Sequence, residues 1–229
     1  MTTNAIVVRV ATPDDTGYAV TITEEMASSA QARGTGIAKR SPDYIALKMQ
    51  EGKAVIALTT DGSWVGFCYI EAWGHDGYVA NSGLIVSPEF RKTGVAKSIK
   101  KAVFDLSRKK YPQAKIFGLT TGLAVMKINS ELGYEPVTYS ELTQDDNFWK
   151  GCQSCINYPI LQSKERKNCL CTAMLFDPEK PTVVTTTNTT EPQPRRRKLG
   201  THLNLFDRWL RFKRHILLKT NRRKEKVTA

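Results

Sequence analysis

The segment Pro88-Glu89-Phe90-Arg91-Lys92-Thr93-Gly94-Val95-Ala96 carries the clearest chemical signal in this chain of 229 residues. It joins the end of a β-rich apolar run to the start of an amphipathic pattern. At such a junction the unpaired N–H groups and the dipole of a helix N-terminus favour an anion. Small residues at Gly94 and Ala96 let that backbone come close to a diphosphate, and Arg91, Lys92, Thr93 and Val95 complete the loop. A second set with ligand chemistry is Cys152-x-x-Cys155, thirteen residues, then Cys169-x-Cys171. Four thiolates in two pairs suit a tetrahedral zinc site, but the Cys-x-Cys half is less typical of zinc, and buried reduced thiols or redox chemistry fit the same spacing. Third, Arg33, Lys39 and Arg40 bracket a glycine-containing loop. Planar guanidinium groups suit carboxylates, so a carboxylate clamp stands here beside the plainer reading of a solvated charged loop.

These residues need elements to position them. Val7 to Val10 reads as a strand, followed at Thr12-Pro13-Asp14-Asp15 by a hydroxyl N-cap, an N1 proline and early acids that start a helix. Ser41-Pro42-Asp43 starts a second helix, ended by Glu51-Gly52. Lys53 to Thr59 and Trp64 to Trp73 are β-rich runs joined through Asp61-Gly62, a hairpin dipeptide, and Tyr78 to Val86 is the next strand. From Gly94 to Lys109, apolar residues at 95, 99, 102, 103 and 106 follow helical spacing. A strand at 116–120, a helix at 123–132, a strand at 134–139 and a last strand at 169–176 complete an α/β arrangement on a mixed sheet. Residues 145–171 read as a polar insertion that carries the four cysteines, and Cys68 as core.

The composition limits the other classes. The formal net charge of +12 resembles a nucleic-acid signal, but residues 181–229 hold 13 Lys and Arg against 3 Asp and Glu, so +10 of it belongs to the C-terminal end. The predicted organisation is one domain at 1–178, a linker at 179–200 too polar to pack, and a basic amphipathic tail at 201–229 suited to an anionic membrane surface or nucleic acid. No apolar run approaches the roughly 18 residues of a membrane span. Met1 to Val10 lacks the basic and apolar regions of a leader, so the expected location is cytoplasmic.

The loop resembles motif A of the GNAT N-acetyltransferase superfamily at Pro88, Phe90, Arg91, Gly94 and Ala96, and Leu123 to Pro136 resembles motif B. The resemblance spans about residues 6–178. It implies a mostly antiparallel central sheet flanked by helices, with two strands splayed so that the pantetheine of acyl-CoA bonds to exposed backbone, here at Leu84, Ile85 and Val86. It also implies an acetyl-CoA co-substrate, a small amine acceptor and a carboxylate base, for which Glu71 is the candidate. Where many members carry a tyrosine as leaving-group acid, this chain has Asn129, which can hydrogen-bond the sulfur but cannot act as an acid. That departure keeps open a non-catalytic acyl-CoA-binding module. Gly34 to Met49 further resembles bacterial acyltransferases linked to arginine biosynthesis, which makes glutamate the first acceptor to test, and a homodimer is compatible with the family.

Overall fold

The computed structural model describes residues 5–34 and 38–180, so the basic tail and almost all of the linker lie outside the described residues. The chain begins with β1 (Ile6–Val10) and a 3-10 turn at Pro13–Tyr18. Thr12 and Asp15 cap that turn reciprocally, and Arg9 grips Asp15 at 2.7 and 2.8 Å. The predicted helix follows as α1 (Ala19–Arg33). α2 (Pro42–Gln50) starts as the sequence indicates, with Ser41 Oγ accepting the Tyr44 N–H at 3.2 Å. Three antiparallel strands come next, β2 (Ala54–Thr59), β3 (Trp64–Trp73) and β4 (Tyr78–Val86). After them lie α3 (Val95–Lys110), β5 (Lys115–Thr120), α4 (Leu123–Glu131), β6 (Glu135–Val137), α5 (Asp146–Lys150), α6 (Tyr158–Ser163) and β7 (Thr172–Phe176).

The seven strands form one sheet in the order β1-β2-β3-β4-β5-β7-β6, antiparallel except for β4 and β5. Helices cover both faces. On one, Val95, Ile99 and Val103 of α3 pack on Val55, Cys68, Ile70 and Val79. On the other, Ile22 and Met26 of α1 and Ile45 and Met49 of α2 pack on Ile56, Phe67 and Ile85. Successive residues of β2 alternate between these two clusters, which is why its sequence is apolar throughout rather than alternating. Each such side chain contributes about 1.5–3 kcal/mol through burial.

Two features of β4 shape the site. Its parallel pairing with β5 covers only Tyr78 with Lys115, Val79 with Ile116 and Ala80 with Phe117. Beyond that point β4 continues to Val86 and β5 to Thr120, and among the described residues no strand pairs with the β5-facing edge of β4. The second feature is a bulge. Phe67 pairs with Ile85 and Tyr69 with Ser82, so Gly83 and Leu84 together oppose the single residue Cys68. Gly83 has φ +67°, and a Cβ there would lie 2.6 Å from a Tyr69 ring carbon and 2.8 Å from the Met26 methyl, so only glycine fits the bend.

The structure corrects the sequence reading in four places: the Thr12 cap opens a 3-10 turn with α1 starting only at Ala19, the strand expected at 134–139 is Glu135–Val137 because Tyr139 starts a 3-10 turn, and two further corrections concern the segment from 145 onward. Segment 145–171 is not a polar insertion: Trp149 and Leu161 are buried in a third cluster with Phe117, Tyr139 and Leu175, and the Trp149 indole donates to the Thr143 carbonyl at 3.0 Å. The last strand begins at Thr172 rather than Cys169, because its partner β5 ends at Thr120, which pairs with Thr172 and leaves residues 169–171 with no strand to join.

Candidate functional site

A cavity of about 410 Å³ opens where β4 and β5 part. Ala80 and Phe117, the last paired residues, line its closed end, and Ser82, Gly83 and Leu84 line it along β4. α3 contributes Lys100 and α4 contributes Asn129, while Arg40 and Tyr69 stand on the side of the α1 and α2 layer. Of the three strand positions expected to meet pantetheine, Leu84 lines the cavity, whereas the side chains of Ile85 and Val86 are buried in the core.

From Val86 the chain passes through a 3-10 turn at Pro88–Phe90 to the N-terminus of α3. Lys92 and Gly94 both have positive φ, +66° and +92°, and turn the backbone into the helix. The Gly94 carbonyl accepts from Lys97 N–H at 2.9 Å and from Ser98 N–H at 3.4 Å. The N–H groups of Thr93, Gly94, Val95 and Ala96, ahead of these, donate no hydrogen bond among the described residues, and space is open beside Gly94. Thr93 Oγ1 is turned back to the Phe90 carbonyl at 2.7 Å. Arg91 is directed elsewhere than the helix end. Its guanidinium reaches Glu25 and Ser29 of α1 at 2.6 Å each, and its Nε donates to the Val86 carbonyl at 3.1 Å. The side chain therefore braces the loop against α1, and the Arg91 backbone N–H donates to the Pro88 carbonyl at 3.3 Å.

Glu71 lies two residues beyond Tyr69 on β3 and does not line the cavity. Its Oε1 accepts from the Tyr44 hydroxyl and pairs with Lys48 Nζ at 3.0 Å, with 14% of the side chain exposed. Tyr44 links it to the cavity: its ring meets the Tyr69 ring edge-on at 5.8 Å, and Arg40 lies 5.2 Å above it. Burial, with the nearby Tyr69 and Glu71 charges, pushes the Tyr44 hydroxyl far above its ordinary range, so it stays a donor.

The charged loop divides. Arg40 enters the cavity and donates from Nε to the Tyr69 hydroxyl at 3.0 Å. Lys39 is exposed, and its backbone N–H donates to Ser154 Oγ at 2.9 Å. Arg33 ends α1, and its side chain lies outside what the structure describes.

All five cysteines are free thiols. The zinc reading finds no support in their arrangement: among the described residues, no group of three or more His, Cys, Asp and Glu side chains is placed to hold a metal ion. The four sulfurs are neighbours, Cys152 and Cys171 each lying close enough to Cys155 and Cys169 to interact with them. Cys152, Cys155 and Cys171 line the cavity, Cys169 packs against the Trp149 cluster with its thiol 3.8 Å from the Asn157 carbonyl, and Cys155 Sγ accepts the Asn157 N–H at 3.4 Å. Burial and neighbouring sulfurs push the Cys152 thiol up to about 11 and the Cys171 thiol up to about 12, so both are protonated at neutral pH. Their alkylation by iodoacetamide should be slow at pH 7 and rise about tenfold per pH unit toward pH 9, as the thiolate fraction grows. Coenzyme A should slow it further by covering the cavity wall. An alkylation rate independent of coenzyme A would place these thiols away from the ligand.

Sequence reasoning missed Lys100 and Asn81. Lys100 is only 2% exposed, and its Nζ lies 3.4 Å from Asn81 Oδ1. The same oxygen accepts from the Tyr134 hydroxyl at 2.8 Å, while Asn81 Nδ2 donates to Ser107 Oγ at 2.8 Å. Asn129 is 1% exposed, with Nδ2 directed at Met174 Sδ (3.7 Å) and Oδ1 without a partner among the described residues. No Asp, Glu or His is among the residues lining the cavity, and neither Arg40 nor Lys100 forms a salt bridge among the described residues. The cavity therefore carries two basic side chains and, among the described residues that line it, no acid.

A mixed seven-stranded sheet whose one parallel pair splays over a cavity, beside a strand-loop-helix junction with unpaired N–H groups, is the fold of the GNAT acetyltransferases. Among solved structures, the chain is similar to N-acetylglutamate synthase from Neisseria gonorrhoeae, complexed with coenzyme A and N-acetyl-glutamate (15% identity, TM-score 0.54). That match covers 77% of this chain but only 36% of the synthase, so the chain corresponds to about a third of that protein. It is also similar to the diaminobutyrate acetyltransferase of Paenibacillus lautus, complexed with L-2,4-diaminobutyric acid and coenzyme A (12% identity, TM-score 0.51, 76% of this chain and 96% of that one). A GNAT-family acetyltransferase from Staphylococcus aureus matches over 62% of this chain and 91% of its own (14% identity, TM-score 0.51). No protein-family model and no curated protein matches the sequence. No helix of the described residues is long and apolar enough to cross a membrane.

Proposed function

We propose that this protein is an acyl-CoA-dependent N-acyltransferase whose acceptor is a small amine carrying a carboxylate, with glutamate the first candidate. The observation that carries the reading is the parting of β4 and β5 after Ala80 and Phe117, which leaves an unpaired strand edge beside a cavity. β4 leads from there to the unpaired N–H groups at Gly94. An extended pantetheine arm bonds to that edge as an added strand, with Leu84 beside it and the backbone of Ile85 and Val86 beyond, while the diphosphate takes the loop of Arg91, Lys92, Thr93, Gly94, Val95 and Ala96. The neighbouring complexes with coenzyme A and with amino-acid ligands support the same substrate classes.

In the reaction the neutral amine attacks the thioester carbon, the N–C bond forms, and the C–S electron pair leaves on sulfur. The proton released from nitrogen passes through solvent to Glu71, the carboxylate joined to the cavity through Tyr44. The coenzyme A thiolate, with an ordinary thiol pKa of about 8.5, takes its proton from solvent at neutral pH without a strong acid. Asn129 Oδ1, buried and unpaired, then accepts the S–H of the departing thiol. Arg40, a partly buried guanidinium with no salt bridge among the described residues, receives the acceptor carboxylate.

Thiol release from acetyl-CoA with a panel of amines tests this. Amino acids should support release at least about tenfold faster than matched amines lacking the carboxylate. Equal rates across the panel would remove the acceptor class, and no release with any amine, whether the donor is acetyl-CoA or a longer acyl-CoA, would remove the activity.

A further inference from the structure

The acyltransferase reading uses Arg40 and leaves a second cation in the same cavity unexplained. Lys100 belongs to the α3 layer and Arg40 to the α1 and α2 side, so the two occupy separate seats. Lys100 stands at the closed end of the cavity, beside Asn81, the first residue of β4 beyond its pairing with β5. Its surroundings hold no anion. The Nζ has Asn81 Oδ1 at 3.4 Å and the Tyr134 ring centroid at 5.3 Å, and Cys68, a further ionisable neighbour, is a buried thiol pushed up to about 11. A cation over a ring is stabilised only in part, and a buried ammonium with no counter-ion is costly. Burial accordingly pulls the Lys100 pKa below its ordinary value.

A donor entering from the Gly94 end of β4 points its acyl chain toward Asn81 and Lys100. An acetyl group would leave the ammonium facing apolar carbon. We infer that the acyl donor is the coenzyme A thioester of a short dicarboxylic acid, whose free terminal carboxylate pairs with Lys100 at the closed end of the cavity. This inference rests on the acyltransferase reading. The bonds exchanged are those already given: the amine N–C bond forms, the C–S bond breaks with its electron pair on sulfur, and the distal carboxylate stays ionised and departs in the product. The two cations then meet two carboxylates, one on each substrate, in a cavity lined by no acid among the described residues.

Succinyl-CoA and butyryl-CoA test this, because their acyl chains match in length and differ in ending as carboxylate or methyl. With the wild-type chain and one amino-acid acceptor, kcat/KM for succinyl-CoA should exceed that for butyryl-CoA by at least about 100-fold. In Lys100→Met, and in Lys100→Gln as a second variant, the ratio should collapse to about one. A wild-type ratio near one overturns the proposal, as does a ratio unchanged in both variants, the outcome expected if Lys100 protonates the leaving thiolate or only supports the fold. Calorimetric affinities of the wild-type chain for succinyl-CoA and butyryl-CoA without acceptor separate the two claims. If no donor is turned over, the activity fails, yet tighter binding of succinyl-CoA would still uphold the Lys100 seat and equal binding would overturn it.

Discussion

Replacing Gly94 with tryptophan is expected to weaken coenzyme A binding by about 10²–10⁴-fold while the domain stays folded. A side chain built at Gly94 meets nothing within 4 Å, so the indole occupies the open space in front of the helix N-terminus instead of the core. That space is the proposed diphosphate seat. Two charge-assisted hydrogen bonds from the N–H groups there, each contributing about 1.5–3 kcal/mol, account for the expected loss. The φ of +92° adds about 1–3 kcal/mol of backbone strain for any side chain, which lowers the melting temperature without preventing folding. Gly94→Ala carries that strain without the bulk, so it should lose much less affinity than the tryptophan variant. Isothermal titration with coenzyme A reads both. A tryptophan variant that binds as the wild type does would remove the loop from the ligand site.

The second large effect concerns the acceptor. Arg40→Met keeps most of the aliphatic stem and removes the guanidinium, with its contacts to the Tyr44 ring and Gly151. For an amino-acid acceptor, kcat/KM should fall by about 10²–10³-fold, the loss of a paired set of charge-assisted bonds. For the corresponding amide, which lacks the carboxylate charge, the fall should be less than about tenfold. Equal falls for both acceptors would mean that Arg40 supports the cavity wall through Tyr69 and does not read the substrate.

Much of this fold was legible in the residues because local chemistry and long-range packing agree. Ser41-Pro42 caps α2, the apolar spacing from Val95 onward forms α3, and the loop at Gly94 turns with the positive φ its glycine permits. Where the sequence misled, a tertiary partner decided the outcome. Residues 169–171 carry apolar and small side chains but find no strand beyond Thr120. The 145–171 segment looked polar because charged residues are frequent along it, yet Trp149 and Leu161 are buried and Phe148 and Tyr158 pack beside them on the Tyr139 cluster.

The site was less legible than the fold. Arg91 matches the loop motif, yet its guanidinium is taken up by Glu25 from α1, 66 positions earlier, a partner that no local pattern names. Lys100 did leave a signal. Ala96, Lys100, Val103 and Ser107 fall on one line of α3 at intervals of three and four, beside the buried Ile99 and Leu106, so a lysine and a serine interrupt an otherwise apolar stripe. A lysine at such a position either reaches out to solvent or faces a cavity, and only the parting of β4 and β5 decides which. The cysteines show the reverse case. Their spacing suggested shared ligation, and the fold does bring them near one another, with Cys169 half-buried beside Cys171, but among the described residues no three side chains are placed to hold a metal ion.

The central claim is that acyl transfer to an amine takes place in this cavity, and the most direct measurement compares product with thiol. The wild-type chain is incubated with an acyl-CoA and an amino acid, the N-acyl product is quantified by mass spectrometry, and free coenzyme A thiol is quantified in the same sample. One N-acyl amino acid per thiol, formed only when chain, donor and acceptor are all present, is the predicted result. Tight coenzyme A binding with neither product nor amine-dependent thiol release would contradict it and identify an acyl-CoA-binding module in which Asn129 has replaced the catalytic acid.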